Sequence, residues 1–300
     1  MEEDFVPLLT TRDWNEEWKQ LQKRRRRPDQ AEYWDQRAKS YGDKDAPNPY
    51  VERFLELADI RPGESVLDMG CGTGALAVPL GQAGHRVVAA DFSRGMLGCL
   101  QEALDSRGIS CVETRLVSWD GDWETAGLGP ESVDVALASR SIATDDLRDS
   151  LLRLNSAARR RVCVTLAAGA SPRVDERVMA AIGVAPLGGT DYLYAFNILA
   201  SEGFKPQVSY IESERAQTFD SAEEAFSTLS RMVDDATWGQ LAEDERARAL
   251  KRLRDWLEAD LMENEHAGEP DRKGLPQGRL RLSEPRKVTW AFLAWDKQQA

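Results

Sequence analysis

The sequence predicts an α/β fold, a parallel sheet covered by helices on both faces. Three observations predict it. Between residues 64 and 166, short apolar runs alternate with amphipathic helical stretches, the pattern of successive βαβ units. The first of those runs ends in Gly70-Cys71-Gly72-Thr73-Gly74, a cluster that lets the backbone turn tightly from strand into helix. The chain has 300 residues, 42% hydrophobic and 30% charged, enough to bury a sizeable core and ordinary for a globular protein.

The first 60 residues read as helices. Trp14, Trp18 and Leu21 fall at helical spacing within residues 13–27, and Pro28 stops that stretch. Trp14 and Trp18 are expected to be packing residues. A second short helix begins at Tyr33 and Trp34 and reaches Ala38. Pro47 and Pro49 mark a turn, after which Val51, Phe54, Leu55 and Ala58 form one apolar helix face. Pro62-Gly63 closes that helix.

The alternation then runs in order. Residues 65–69 are the first strand and 75–83 a helix; 85–90 are the second strand, ending at Asp91, and 95–106 the next helix. Strands three and four are 111–117 and 133–138; a helix over 145–158 presents Leu147, Leu151 and Leu154, and 161–166 is strand five. Residues 171–189, rich in Gly and Pro, read as an irregular insert. A helix over 191–201 carries Tyr192, Tyr194 and Asn197 near its start, a start expected at the rim away from the ligand site. Strand six covers 208–213 and strand seven 287–295. Between them Ser221-Ala222-Glu223-Glu224 is a capping box ahead of Phe226, Leu229 and Val233, and Leu250, Leu253, Leu257 and Leu261 mark another helix. Residues 267–278 are loop-like, and the whole insert is expected to be a helical cap, not a second sheet.

The glycine cluster carries the chemistry. Its spacing is GxGxG, not the GxGxxG of a dinucleotide turn, and Asp68 precedes it inside the strand. A carboxylate there repels a pyrophosphate but suits a ligand with an ammonium group. Asp91, at the end of strand two, is placed to accept hydrogen bonds from both hydroxyls of a ribose.

With these residues the chain resembles the class I S-adenosylmethionine-dependent methyltransferases. The match comprises the DxGxGxG of residues 68–74, Asp91, Ser118-Trp119-Asp120 after strand three and Ser139-Arg140-Ser141 after strand four. It covers residues 33–166, with strands six and seven completing it. The resemblance implies a Rossmann-like, seven-stranded, mostly parallel sheet with helices on both faces. The last strand would be antiparallel and would neighbour the sixth. It also implies an N-terminal helical lid (1–60), a cofactor-binding core (61–213), a helical cap insert before the last strand (214–286) and that strand itself (287–300).

Carried over residue by residue, the resemblance implies S-adenosylmethionine as cofactor. Gly70, Cys71 and Gly72 would line its methionine part, with Gly74 completing the loop. Asp68 would orient that loop and the amino group, and Asp91 would hold the ribose. Phe92 and Met96 would flank the adenine, and Ser118 and Trp119 would cover its edge. Ser139 and Arg140 would face both cofactor and acceptor. Residues 34–41 resemble a Trp-Asp-x-Arg-Ala-x-x-Tyr lid of similar proteins, which makes Tyr33, Trp34 and Tyr41 lid candidates; packing of an N-terminal helix on the sheet is the alternative. Cys71 reads as a small loop residue, not a nucleophile. The Pro-Cys of pyrimidine-carbon methyltransferases and the Asn-Pro-Pro-Tyr of amide and exocyclic-amine methyltransferases are both absent after strand four.

Composition narrows the chemistry. The 39 Lys+Arg and 51 Asp+Glu give a net charge of -12, which disfavours a general nucleic-acid binder. The basic run Lys23 to Arg27 reads first as a solvated helix face. The two histidines cannot make a three-histidine metal site, and no metal is expected. Cys71, Cys99, Cys111 and Cys163 lack CxxC spacing and read as free thiols of a reducing compartment. No apolar run approaches membrane length and the first residues are no signal segment, so no membrane partner and a cytoplasmic location are expected.

Methyl transfer from a sulfonium is an in-line displacement that asks the enzyme mainly to align the acceptor and exclude water. An alcohol or phenol acceptor also needs a base, usually His or a metal. His85 starts strand two far from the rim and His266 lies in the insert. Arg140 and Tyr41 are the catalytic candidates, Arg140 to bind an acceptor carboxylate or phosphate or to depress the acceptor's pKa. The expectation is metal-independent methyl transfer to a small-molecule acceptor by a monomer or homodimer. A tRNA or protein methyltransferase and a non-catalytic cofactor-binding protein are the alternatives.

Overall fold

A central sheet runs in the order β3 (Val112–Leu116), β2 (Val87–Asp91), β1 (Val66–Met69), β4 (Val133–Ser139), β5 (Ala158–Ala167), β10 (Arg286–Asp296), β6 (Gln207–Arg215). The computed structural model describes residues 13–25, 31–38, 48–142, 144–169, 171–187, 189–271 and 275–297. β1 pairs in parallel with β2 and β4, β2 with β3, and β4 with β5. β10 runs antiparallel between β5 and β6, as the resemblance implied. The carboxyl ends of β1 to β6 therefore share one rim, and β10 starts there.

Both faces of the sheet are buried, so its strands are nearly continuous apolar runs. On one face α1 (Trp14–Arg25), α6 (Leu147–Ala157) and α8 (Asp191–Ser201) pack against Leu67, Ala136, Val162 and Leu293. Trp18 is fully buried in that layer and its indole N–H donates to the Thr144 carbonyl at 2.7 Å. On the other face lie α3 (Pro49–Ala58), α4 (Ala77–Gln82) and α5 (Arg94–Ser106), with Phe54, Leu80 and Leu100 against Val66, Ala89 and Leu137. α2 (Ala31–Arg37) packs on α5, away from the sheet.

The cap has a third core of its own. α7 (Glu176–Ile182), α9 (Ala222–Ala236) and α10 (Glu243–Asp260) bury Val178, Ile182, Leu229, Val233 and Leu253 together. α7 follows β5 and the other two follow β6, so both parts of the cap rise from the carboxyl rim. Two features depart from the sequence reading. The 171–189 stretch contains α7, capped by Asp175 accepting from Arg177 N and closed by Gly183 at φ 68°; its flanking Gly and Pro residues hid a three-residue apolar face. The insert also adds a small antiparallel sheet, β7 (Thr218–Phe219), β9 (Leu280–Leu282) and β8 (Leu261–Glu263). These strands are two or three residues long, below the length at which alternation shows. Among the described residues no helix is long and apolar enough to cross a membrane.

The start of α8 is a further correction. A helix that follows a parallel strand begins at that strand's carboxyl end, and Gly189 and Thr190 share a cleft with Ala168 and Gly169, just past β5. Asp191 there receives both terminal nitrogens of Arg25, at 2.9 and 2.6 Å. The same guanidinium stacks 5.6 Å from the Trp18 ring and 5.8 Å from Trp238 of the cap. Arg25 is thus an internal clamp, whereas Lys23 and Arg24 are solvated as the sequence suggested. Arg26 and Arg27 lie outside the described residues.

Candidate active site

The glycine loop is pinned to the end of β2. The N–H groups of Gly70 and Cys71 both donate to the Ala90 carbonyl, at 2.7 and 3.0 Å. Gly70 adopts φ 73°, and a Cβ there would stand 2.3 Å from the Ser141 Cβ. Ser141 in turn donates its hydroxyl to the Met69 carbonyl at 2.7 Å. Only glycine allows the loop after β4 to close this tightly on the loop after β1. Gly72, at φ 54°, has nothing within 4 Å of an added Cβ, so the loop opens there. Gly74 is close-packed instead, on Leu100.

Two buried carboxylates flank this opening. Asp91 accepts from Gly72 N and Ser93 N, each at 2.9 Å, which ties the glycine loop to the start of α5. Asp68 is 2% exposed, and its Oδ2 has no hydrogen-bond partner among the described residues. Burial, reinforced by the Asp91 charge, pushes the Asp68 carboxyl up to about 7; the Ala77 N–H and the Arg140 charge oppose this. Burial and the same two carboxylates push the Cys71 thiol well above its ordinary value. Cys71 is therefore a thiol, without nucleophilic character.

The remaining residues proposed for the adenine side lie around Asp91. Val117 N donates to the Asp91 carbonyl, which sets the loop after β3 beside it. In that loop Ser118 donates to Asp120 at 2.6 Å, and Trp119 lies 5.8 Å from Trp123. Phe92 is half-buried. Met96 is buried against Cys99, Ala38 and Trp34, beneath α2. α2 is latched there by Asp35, whose Oδ1 accepts from the Ser93 hydroxyl at 2.6 Å and Gly95 N at 2.8 Å.

Past β4 the rim changes character. Arg140 is held at φ 59° by its N–H donating to the Thr165 hydroxyl at 3.0 Å. Its guanidinium lies 4.3 Å over the centroid of the Tyr50 ring. The Tyr50 hydroxyl sits 2.8 Å from both Ser139 Oγ and Thr165 Oγ1. Burial pushes the Tyr50 phenol up, so it stays protonated. Trp290 stands 6.3 Å from Tyr50, edge to face, with its indole N–H buried and unpartnered among the described residues.

Comparison with known proteins fits this geometry. The family model described as "Methyltransferase domain" matches residues 66–160. An uncharacterized protein of Haemophilus influenzae is 34% identical over 231 residues, 76% of this chain and 82% of that one. The chain belongs to the class I S-adenosylmethionine-dependent methyltransferases. It is an enzyme of that family, and S-adenosylmethionine is its cofactor. Nocamycin O-methyltransferase of Saccharothrix syringae is 36% identical over 98 residues, 32% of this chain and 34% of that protein. Among solved structures, the YcgJ protein of Bacillus subtilis superposes with a TM-score of 0.49 at 12% identity, covering 84% of this chain and 99% of that one.

The methyltransferase's own residues fit its cofactor. The orphaned, buried Asp68 Oδ2 asks for a cationic partner, and the open flank of Gly72 leaves room for a ligand. The candidates around Asp68, Gly70, Cys71, Gly72 and Asp91 come together, as do Ser139 and Arg140 on the neighbouring strand end. Tyr41 lies outside the described residues. The sequence reading missed Tyr50, Thr165 and Trp290. Tyr50 precedes Phe54 at i, i+4 and so shares the apolar face that was read for α3; the pairing of strands β4 and β5 is what brings Thr165 beside it. His85 sits at the amino end of β2 with Nδ1 3.0 Å from the Glu64 carbonyl, and His266 is exposed in the insert beside Glu269. Among the described residues no group of His, Cys, Asp and Glu is arranged to hold a metal ion.

Proposed function

We propose that this methyltransferase acts on a small-molecule acceptor at the rim between β4, β5 and the cap. The observation that carries this reading is a cleft of about 540 Å³ between the end of β5 and α7, lined by Ala168, Gly169, Glu176, Met179 and Thr190. That volume suits a small molecule. A smaller cavity, about 180 Å³, lies at the opposite rim beside Arg161 and Asp296, away from the glycine loop.

When bound, S-adenosylmethionine supplies an activated methyl group for in-line displacement. Asp68 receives the ammonium group, Gly70, Cys71 and Gly72 line the methionine part, and Asp91 holds the ribose hydroxyls. Phe92, Met96, Ser118 and Trp119 border the adenine, and α2 closes over it through the Asp35 latch. Ser139 and Arg140 stand between the two halves of the site. Tyr50, kept protonated, serves to position and not to remove a proton. Both histidines lie away from this rim, which favours an acceptor whose nucleophile needs no histidine base. The chain then acts by alignment and exclusion of water.

The test is methyl transfer from labelled S-adenosylmethionine to a cell extract separated by size. Label in the small-molecule fraction is the expected result. Label only in RNA or protein, or tight cofactor binding with no labelled product, contradicts the reading.

A further inference from the structure

Several arginines of the chain use their planar fork on a carboxylate. Arg25, Arg177 and Arg246 each place two guanidinium nitrogens on one carboxylate, those of Asp191, Asp175 and Asp234. Arg140 differs. Among the described residues no carboxylate forms an ion pair with it; its guanidinium carbon lies 4.3 Å over the centroid of the Tyr50 ring. A stacked guanidinium uses its face, which leaves the N–H edge for another partner.

This arrangement is held in place at a cost. Arg140 is not glycine, yet its backbone is left-handed at φ 59°. The Thr165 hydroxyl fixes its N–H, and Thr165 also fixes Tyr50, whose ring carries the guanidinium. The platform beneath Arg140 is therefore rigid. Trp290, edge to face with Tyr50, borders the platform and is 8% exposed. Among the described residues the Arg140 side chain donates to no oxygen.

Charge points the same way. The glycine-loop side holds two carboxylates, Asp68 and Asp91, which suit a cationic cofactor. A sulfonium brings a second positive charge to a rim that already carries Arg140. A negatively charged acceptor relieves that repulsion, whereas a neutral or cationic one leaves it standing.

We propose that the acceptor carries an oxyanionic group, carboxylate or phosphate, bound by the Arg140 guanidinium, with Tyr50 as the positioning residue beneath it. The proposal rests on the small-molecule reading above. It is tested by calorimetry on protein saturated with S-adenosylhomocysteine, titrated with benzoate, with inorganic phosphate and with neutral benzamide. At least one anion binds and benzamide does not. Arg140→Met weakens anion binding at least about tenfold, and Arg140→Lys, which keeps the charge without the fork, weakens it less. Tyr50→Leu, which removes the platform, weakens it more than Tyr50→Phe, which keeps the ring. S-adenosylhomocysteine still binds all four variants, within a few-fold of wild type, which also shows that each is folded. The proposal is overturned if neither anion binds the wild type, if benzamide binds equally, or if Arg140→Met binds the anion as wild type does. Loss of S-adenosylhomocysteine binding in Arg140→Met also overturns it, because Arg140 would then serve the cofactor. Failure here is distinguishable from failure of the small-molecule reading, since label can still reach a neutral small molecule.

Discussion

The rim on the β2 side of β1 is held by backbone and carboxylates; the rim on the β5 side is held by hydroxyls, an aromatic ring and a guanidinium. The first is built from neighbours. Gly72 and Asp91 are 19 residues apart, and Ser93 follows Asp91 directly into α5. The second is built from distant parts. Tyr50 and Thr165, 115 residues apart, share a hydrogen bond, and Trp290 comes from the last strand. The contrast separates two tasks. In the proposed reading, the cofactor is met by a local, glycine-shaped loop with a negative lining, and the acceptor by side chains that long-range packing assembles. Each half should therefore fail on its own.

The largest expected effect is at Asp91. Asp91→Ala frees the Gly72 and Ser93 N–H groups and removes the proposed ribose contact, so S-adenosylhomocysteine affinity should fall at least about a hundredfold. Calorimetry checks it, and an unchanged affinity would sink the assignment of the cofactor half. Next is Gly70→Ala. The added methyl meets Ser141 at 2.3 Å with the backbone at φ 73°, which should cost on the order of 3 kcal/mol of stability. Chemical denaturation measures this; a loss below about 0.5 kcal/mol, the ordinary range for a surface substitution, would mean that the two loops are not locked together.

Asp68 gives a pH effect of middle size. Its carboxyl is raised from 3.8 to about 7, so the folded chain holds this proton more tightly than the unfolded one. The stability it contributes is fully present below about pH 4, and is lost as pH rises through about 7. A ligand ammonium prefers the ionised form, so S-adenosylhomocysteine affinity should rise from pH 6 to 8 by up to about tenfold and level off above. Asp68→Asn should flatten that slope; a slope that survives in the variant contradicts the role given to Asp68. The smallest effect is at the α2 latch. Asp35→Ala removes acceptors for the Ser93 hydroxyl and Gly95 N, and should weaken S-adenosylhomocysteine binding a few-fold while leaving benzoate or phosphate binding alone.

The same contrast explains what could be read in the sequence. β1, the glycine loop, β2 and Asp91 form one contiguous segment whose spacing is set by the turn itself, so Asp68, Gly70, Gly72 and Asp91 were legible together. Ser139 and Arg140 were legible because they end a strand. Tyr50 was not, because its role depends on the β4–β5 register that sets Ser139 opposite Thr165. α7 and the small sheet were missed for a related reason. The cap's core is shared between two inserts, and α7 makes sense only against α9 and α10. Arg25 looked like part of a charged face because Asp191 and Trp238, its partners, lie far along the chain.

The division of the rim is tested most directly by S-adenosylhomocysteine calorimetry on the wild type, Asp91→Ala and Arg140→Met, measured side by side. Arg140→Met should bind within a few-fold of wild type, and Asp91→Ala at least about a hundredfold more weakly. Equal loss in both variants, or none in either, would contradict two separable halves.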